Sequence, residues 1–183
     1  VDERGMARSA DDKWRVARAS HAIAVDECGL RPEDLLFDCL TFTVGSGDNT
    51  LRDAALQTLE GIRRIKAELP GCLSVLGVSN ISFGLAPAAR RILNSVFLHE
   101  AVAAGLDAAI VDAARVLPLA RISTEDRQVC LDLLHNRQVA GEKDPLMRFI
   151  DHFSTASNTA EDAEQESTRP PEQQLFHKVL NGD

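Results

Sequence analysis

Apolar side chains recur along the first 138 residues at two different spacings. In four stretches they fall three or four positions apart, which predicts one buried face on each of four amphipathic helices. The first stripe runs from Trp14 through Ala17 to Cys28 and ends before Gly29, a residue type that commonly follows a helix. The predicted helices cover residues 8–28, 51–69, 87–104 and 125–137, and Thr124 is the expected N-cap of the last.

Short continuous apolar runs lie between these helices and predict buried strands at Leu35–Phe37, Leu73–Val78 and Leu106–Val111. The strands recur every 30 to 40 residues, the spacing of βα units around a parallel sheet. Hydrophobic residues make up 44% of the chain but aromatic residues only 4%, so the core must be mainly aliphatic. The pattern therefore predicts an α/β fold.

The pattern changes after Gln138. Residues 139–171 are mostly polar and acidic and predict a linker, in which the apolar residues 146–153 allow one or two amphipathic turns. Residues 172–183 predict the start of a further amphipathic helix. The three predicted strands cannot close a barrel and leave two open edges. We therefore expect the chain either to be part of a larger polypeptide or to associate through those edges.

Charge and composition exclude several classes of partner. The net charge of −8 disfavours binding to a nucleic-acid backbone, which requires a basic surface. No apolar run approaches the roughly 18 residues that span a bilayer, and no signal-peptide pattern opens the chain. The four cysteines are scattered, without the spacing of a disulfide framework or a metal site. A reduced, cytoplasmic protein is the expectation.

One polar residue follows each predicted strand: Asp38, Asn80 and Asp112. In βα architectures the functional groups gather at the carboxyl ends of the strands, so these residues are candidate site residues. The alternative is local, because Asp and Asn are common at strand ends, where they bond their own backbone. The pattern alone leaves both interpretations open.

Several segments resemble, in order, those of the pterin-binding (methyltetrahydrofolate) methyltransferases. Leu36–Phe42 is similar to their F-D-P-L-T-F segment, and Gly77–Leu85 to their G-[LV]-S-N-[VI]-S-F-G loop. Arg90–Val111 resembles the helix and strand that follow, and Asp2–Ala7 the loop after the fifth barrel strand. The resemblance implies that residues 1–138 are the C-terminal part of a (β/α)8 TIM barrel, comprising its sixth to eighth strands.

The same resemblance implies roles for individual residues. Asp38 matches the residue that binds the pterin edge, and Asn80 the catalytic residue placed at N5 of the folate. Ser82, Phe83, Arg90 and Asp112 fall at further substrate-binding positions. Two departures are notable. Cys39 stands where the family usually has Pro, which loosens the backbone that aims Asp38, and Asp112 stands where many relatives carry Asn.

The implied reaction is transfer of the N5 methyl group of methyltetrahydrofolate to a corrinoid, as in methionine synthesis. Residues 172–183 resemble the start of the helical cap that precedes a cobalamin-binding module, so cobalamin is expected on a partner module and not on this chain. Two alternatives stay open: a non-catalytic half-barrel or interaction module, and another pterin enzyme such as a dihydropteroate synthase-like protein.

Overall fold

The computed structural model describes residues 1–156, which form one three-stranded sheet with helices packed against it. Strands β1, β2 and β3 lie side by side in chain order, and both pairings are parallel. The predicted α/β class and parallel sheet are therefore confirmed. The strands span Leu36–Asp38 (β1), Leu73–Gly77 (β2) and Ala108–Ile110 (β3).

The helices fill the connections between the strands. Helix α2 links β1 to β2 and α3 links β2 to β3, as the spacing of the apolar residues predicts. Helix α1 precedes β1 and continues into a π-helical segment, Ala22–Glu27. The α-helices span Ala10–His21 (α1), Ala54–Glu68 (α2), Pro87–Ala103 (α3), Thr124–Leu134 (α4) and Pro145–Ala156 (α5).

The two faces of the sheet differ in burial. Ser74 and Leu76 of β2 point into the helical layer and are fully buried. On the opposite face Leu36, Leu73 and Ile110 remain 53%, 40% and 67% exposed. Thus the described helices cover one face of β2 and leave the opposite face of the sheet open, and all three residues of β3 are exposed. The largest buried side chains of the core include Leu59, Ile62, Ile65, Leu93, Val96 and Phe97.

Two details of the predicted helices need correction. The apolar stripe of the first helix coincides only in part with its buried face: Ala17 of the stripe is buried, beside Ala10 and Lys13, whereas Trp14 is half-buried and Cys28 exposed. Helix α4 is capped by Ser123 and not by Thr124, since the Ser123 hydroxyl accepts the Asp126 N–H at 3.0 Å. Two adjacent residues with capping hydroxyls were indistinguishable in the sequence.

Helix α5 is longer than the one or two turns expected between residues 146 and 153. Its Phe149 and Phe153 are buried in the main core, with ring centroids 4.7 Å apart. This helix falls inside the segment 139–171 that the sequence predicts as a linker. The rest of that segment, and the predicted helix at 172–183, lie outside the described residues.

Two further observations concern the expected cellular setting. Between residues 1 and 156, no helix combines the length and the hydrophobicity needed to cross a membrane. All four cysteines are free thiols; Cys28 is exposed, and Cys39, Cys72 and Cys130 are buried.

Candidate functional site

Asp38 is the last residue of β1, and its carboxylate lies exposed at the carboxyl edge of the sheet. Its Oδ1 accepts the N–H of Leu40 at 2.8 Å, which closes a tight turn directly after the strand. Leu40 adopts a φ of 53°, in the left-handed region that non-glycine residues rarely occupy. Among the described residues Oδ2 has no hydrogen-bond partner, so half of the carboxylate is available for a ligand.

The loop after β1 is hydrogen-bonded to the loop after β2. The Thr43 hydroxyl donates to the carbonyl of Phe83 at 2.7 Å, and the Val44 N–H donates to the carbonyl of Ile81 at 3.0 Å. Gly45 permits this approach, since a Cβ there would lie 2.6 Å from Leu85 Cγ and 3.0 Å from the Phe83 oxygen. The two loops therefore form one connected surface.

Asn80 lies in that second loop, on the 3-10 turn Val78–Ser82 that follows β2. The residue is exposed, and its amide lies beside Gly77, where an added Cβ would be 3.2 Å from Nδ2. Because Gly77 ends β2 and has no side chain, the Asn80 amide can lie close to the strand end. Asn80 and Asp38 thus follow adjacent parallel strands at the same sheet edge.

The other predicted site residues of this loop differ sharply in exposure. Ser82 is fully buried; its hydroxyl donates to the Ser79 carbonyl at 3.1 Å and accepts the Arg90 Nε–H at 3.2 Å. This contact links the loop to the first turn of α3. Phe83 is 56% exposed, although it is a large apolar side chain. The loop therefore presents an aromatic ring to solvent beside Asn80.

Asp112 follows β3 at the same edge but bonds mainly to its own turn. Its Oδ1 accepts the Ala114 N–H at 3.1 Å, and its Oδ2 lies 3.2 Å from Arg115 Nε in an exposed ion pair. This is the local bonding that the sequence pattern left open as an alternative.

Within residues 1–156, no group of three His, Cys, Asp or Glu side chains is placed to hold a metal ion.

The sequence of residues 1–112, which contains all of these features, matches the family model of pterin binding enzymes. The chain belongs to the pterin-binding enzyme family. The match extends from the N-terminal loop through α1 and all three strands, and it includes Asp38, Asn80, Ser82, Phe83, Arg90 and Asp112.

Two relatives match this member of the pterin-binding family over its whole length. They are the methionine synthases of Mycobacterium tuberculosis (strain ATCC 25618 / H37Rv) and Mycobacterium leprae (strain TN), each 40% identical over 186 residues. The alignments cover 100% of this chain but only 16% and 15% of those proteins. The chain is thus similar to one segment of much longer relatives.

The pattern of apolar residues did not identify Lys13 of α1. This lysine is 4% exposed, and its Nζ donates to the carbonyls of Ala7, Cys39 and Leu40 at 2.9, 2.7 and 3.0 Å. Burial lowers the pKa of Lys13 to about 8, against the opposing influence of Cys39 and nearby carboxylates. The signal in the sequence was its spacing, three residues after Ala10 and four before Ala17 on one helical face.

Proposed function

We propose that this chain contributes the pterin-binding wall of a methyltransferase site that takes methyltetrahydrofolate as methyl donor. The observation that carries the proposal is the pairing of an exposed carboxylate, Asp38, and an exposed amide, Asn80, after adjacent parallel strands. Family membership and the 40% identity to methionine synthases support the same reading.

Asp38 is proposed to bind the edge of the pterin ring. That edge presents a ring N–H beside an amino group, a donor pair that one carboxylate accepts in fork geometry. The Leu40 N–H already fixes Oδ1 at 2.8 Å, and the second lone pair of that oxygen stays available. The carboxylate is therefore oriented before the ligand binds, which reduces the entropy cost of binding.

Asn80 is proposed to act at N5. When the methyl group leaves, the C–N5 bond breaks with its electron pair on N5, and the methyl carbon would take a new pair from a nucleophilic acceptor carried by another module. N5 becomes more basic during this step and takes up a proton from water. A hydrogen bond from the Asn80 amide strengthens as that basicity grows, which lowers the barrier without introducing a charge.

The remaining predicted residues are given supporting roles. Phe83, exposed beside Asn80, offers an apolar face to the pterin or the benzoyl part of the folate. Ser82 is buried, and its hydrogen bond to Arg90 suits it to orienting that side chain and the loop. Asp112 is proposed to lie at the rim of the same site, after β3.

The methyl acceptor is proposed to be a corrinoid carried by a different module, and we assign no corrinoid site to this chain. The names of the relatives motivate this part of the proposal, since both are methionine synthases. From the parallel sheet and the resemblance of its flanking segments to the family, β1, β2 and β3 are proposed to be the last three strands of a (β/α)8 barrel. The open face of the sheet, with Leu36, Leu73 and Ile110, would then face the barrel interior.

Substitutions in the full-length protein test the proposal. We expect Asp38→Ala to raise the Kd for methyltetrahydrofolate by roughly tenfold or more, because a charge-assisted hydrogen-bond pair is lost. We expect Asn80→Ala to lower the rate of methyl transfer by about a hundredfold at saturating folate with a smaller change in Kd. Calorimetric titration and single-turnover kinetics measure the two quantities. Normal binding and turnover in both variants would contradict the assigned roles.

The same titration distinguishes the alternatives. A non-catalytic interaction module would bind neither methyltetrahydrofolate nor a simple pterin. A dihydropteroate synthase-like enzyme would bind the pterin but would not demethylate methyltetrahydrofolate. The identity to methionine synthases over the whole chain favours the methyltransferase.

A further inference from the structure

Lys13 occupies an unusual position for a lysine. It lies on the buried face of α1, and within residues 1–156 its three hydrogen bonds go to backbone carbonyl oxygens and none to a carboxylate. An ammonium group has three donors, so all of them are used. The aromatic ring of Phe42 lies 5.1 Å from Nζ and completes the enclosure. Burying a charge is costly, so these contacts are needed to hold the ammonium group in this position.

Two of the three carbonyls belong to the residues that directly follow Asp38. Cys39 and Leu40 accept from Lys13, and the Leu40 carbonyl also accepts the Thr58 hydroxyl at 3.1 Å. The N–H of the same Leu40 holds the Asp38 carboxylate. Leu40 has a left-handed backbone, which is strained for a non-glycine residue, so other contacts must maintain it.

The residue of α2 that faces the Lys13 side chain is a glycine, Gly61. A Cβ at Gly61 would lie 2.8 Å from Lys13 Cδ and 3.3 Å from its Cβ. Glycine is an unfavourable residue in the interior of a helix, and here it is fully surrounded. The glycine therefore allows the lysine stem to pass between α1 and α2 and reach the loop after β1.

We propose that Lys13 is a positioning residue for Asp38. Lys13 fixes the backbone of residues 39–40 and so orients the Asp38 carboxylate towards the pterin. The inference rests on the proposed function, in which Asp38 binds that ring.

The experiment compares three variants in the full-length protein, with methyltetrahydrofolate as the probe. Lys13→Met keeps the length of the stem but removes the donors, and we expect it to raise the folate Kd about tenfold. The rate of methyl transfer at saturating folate should change by less than about threefold, since Asn80 is not displaced. Lys13→Arg, which retains donors and charge, should recover part of the affinity. Lys66→Met is the control for general stability: Lys66 bonds the Cys72 carbonyl and Asp107 at the opposite edge of the sheet, so its loss should lower stability without raising the folate Kd.

A double-mutant cycle with Asp38→Ala separates positioning from general stability. If Lys13 acts through Asp38, Lys13→Met should change the Kd by less than about twofold in the Asp38→Ala background. An undiminished tenfold effect there would overturn the inference, as would an unchanged Kd for Lys13→Met alone. If Asp38→Ala itself leaves the Kd unchanged, the proposed function fails instead.

A second variant covers the case in which Lys13→Met does not fold. Gly61→Ala leaves the lysine in place but displaces its stem, so we expect a smaller rise of the Kd, about threefold to tenfold, with native circular dichroism. Hydrogen exchange at the Leu40 amide gives a direct readout, because loss of the turn should speed exchange there selectively. A folded Gly61→Ala protein with normal Kd and normal exchange at Leu40 would overturn the inference.

Discussion

Gly45 lies where the loop after β1 approaches the loop after β2 too closely for a side chain. An added methyl group would lie 2.6 Å from Leu85 Cγ and 3.0 Å from the backbone oxygen of Phe83. A side chain can move, but a backbone oxygen in this loop cannot move without disturbing the hydrogen bond from Thr43. We expect Gly45→Ala to lower the free energy of unfolding by about 1–3 kcal/mol and to weaken folate binding, as measured by urea denaturation and titration.

Ser46→Ala is the control for that substitution. Ser46 is the next residue and is exposed, so its loss should change stability by no more than about 0.5 kcal/mol. Equal effects of the two substitutions would mean that the close approach at Gly45 does not matter.

The residues of the proposed site could be recognised in the sequence to different degrees. Asp38 and Asn80 could be found because they follow apolar runs that become parallel strands, and because their flanking residues resemble a family motif. The role of Lys13 could not be predicted from the sequence, since it depends on backbone carbonyls that lie 26 and 27 residues away along the chain. The hydrogen bond from Thr43 that connects the two loops could not be predicted for the same reason. It depends on how the loops pack, and no local sequence pattern encodes that packing.

At the scale of elements, one polar cluster joins α2, β2 and β3 at the amino-terminal edge of the sheet. Asp107 accepts Lys66 Nζ at 2.9 Å and the backbone N–H of Ser74 at 2.8 Å. Burial raises the pKa of Asp107, but the hydrogen bonds from Lys66 and Ser74 outweigh it, and the pKa lies below the ordinary 3.8. The cluster therefore favours the ionised form in the folded state.

This shift gives a pH dependence with a definite sign. A carboxylate whose pKa is lowered by folding contributes stability above its unfolded pKa, and the contribution is lost as the pH falls through the folded value. We expect Asp107→Asn to destabilise the protein by about 1–2 kcal/mol at pH 7, with little difference from wild type at about pH 2. Urea denaturation at both pH values measures this.

Asp112→Asn is the matched control, because Asp112 pairs with Arg115 in an exposed turn at the other edge of the sheet. Exposed pairs contribute little, so its substitution should leave stability nearly unchanged. A destabilisation by Asp107→Asn that persists unchanged at pH 2 would rule out the ionised form as its source.

The strands and helices could be predicted from the periodicity of the apolar residues, but their first and last residues could not. The three strands and four helices were predictable because their apolar spacing persists over whole segments. Helix α5 was underestimated because its apolar residues span only positions 146–153, about two turns, whereas the helix extends beyond them at both ends, over Pro145–Ala156. The π-helical continuation of α1 carries no distinguishing sequence signal, since its side chains are partly or fully exposed.

At the scale of the whole molecule, the uncovered face of the sheet is the dominant feature. Parallel strands normally have both faces covered, yet Leu36, Leu73 and Ile110 of the described structure face solvent. Apolar surface of this kind favours association. We expect the isolated 183-residue chain to self-associate with increasing concentration, as measured by size-exclusion chromatography with light scattering.

The control uses two exposed apolar residues on different surfaces. Ile110→Lys should reduce association, whereas Val102→Lys on the outer side of α3 should not, because Val102 is comparably exposed but lies away from the sheet. A cooperatively melting monomer near 19.9 kDa at every concentration would contradict the expectation.

The distribution of the thiols has a practical consequence for labelling. Burial raises the pKa of Cys39 and of Cys130 to about 12, and it also raises the pKa of Cys72, so these three thiols are poor nucleophiles near neutral pH. Cys28 is exposed after α1, in the segment that leads to the amino-terminal end of β1, whereas Asp38 is at the carboxyl end of that strand. A maleimide dye should therefore attach to this chain at one position without engineered cysteines, and report on folate binding from outside the site.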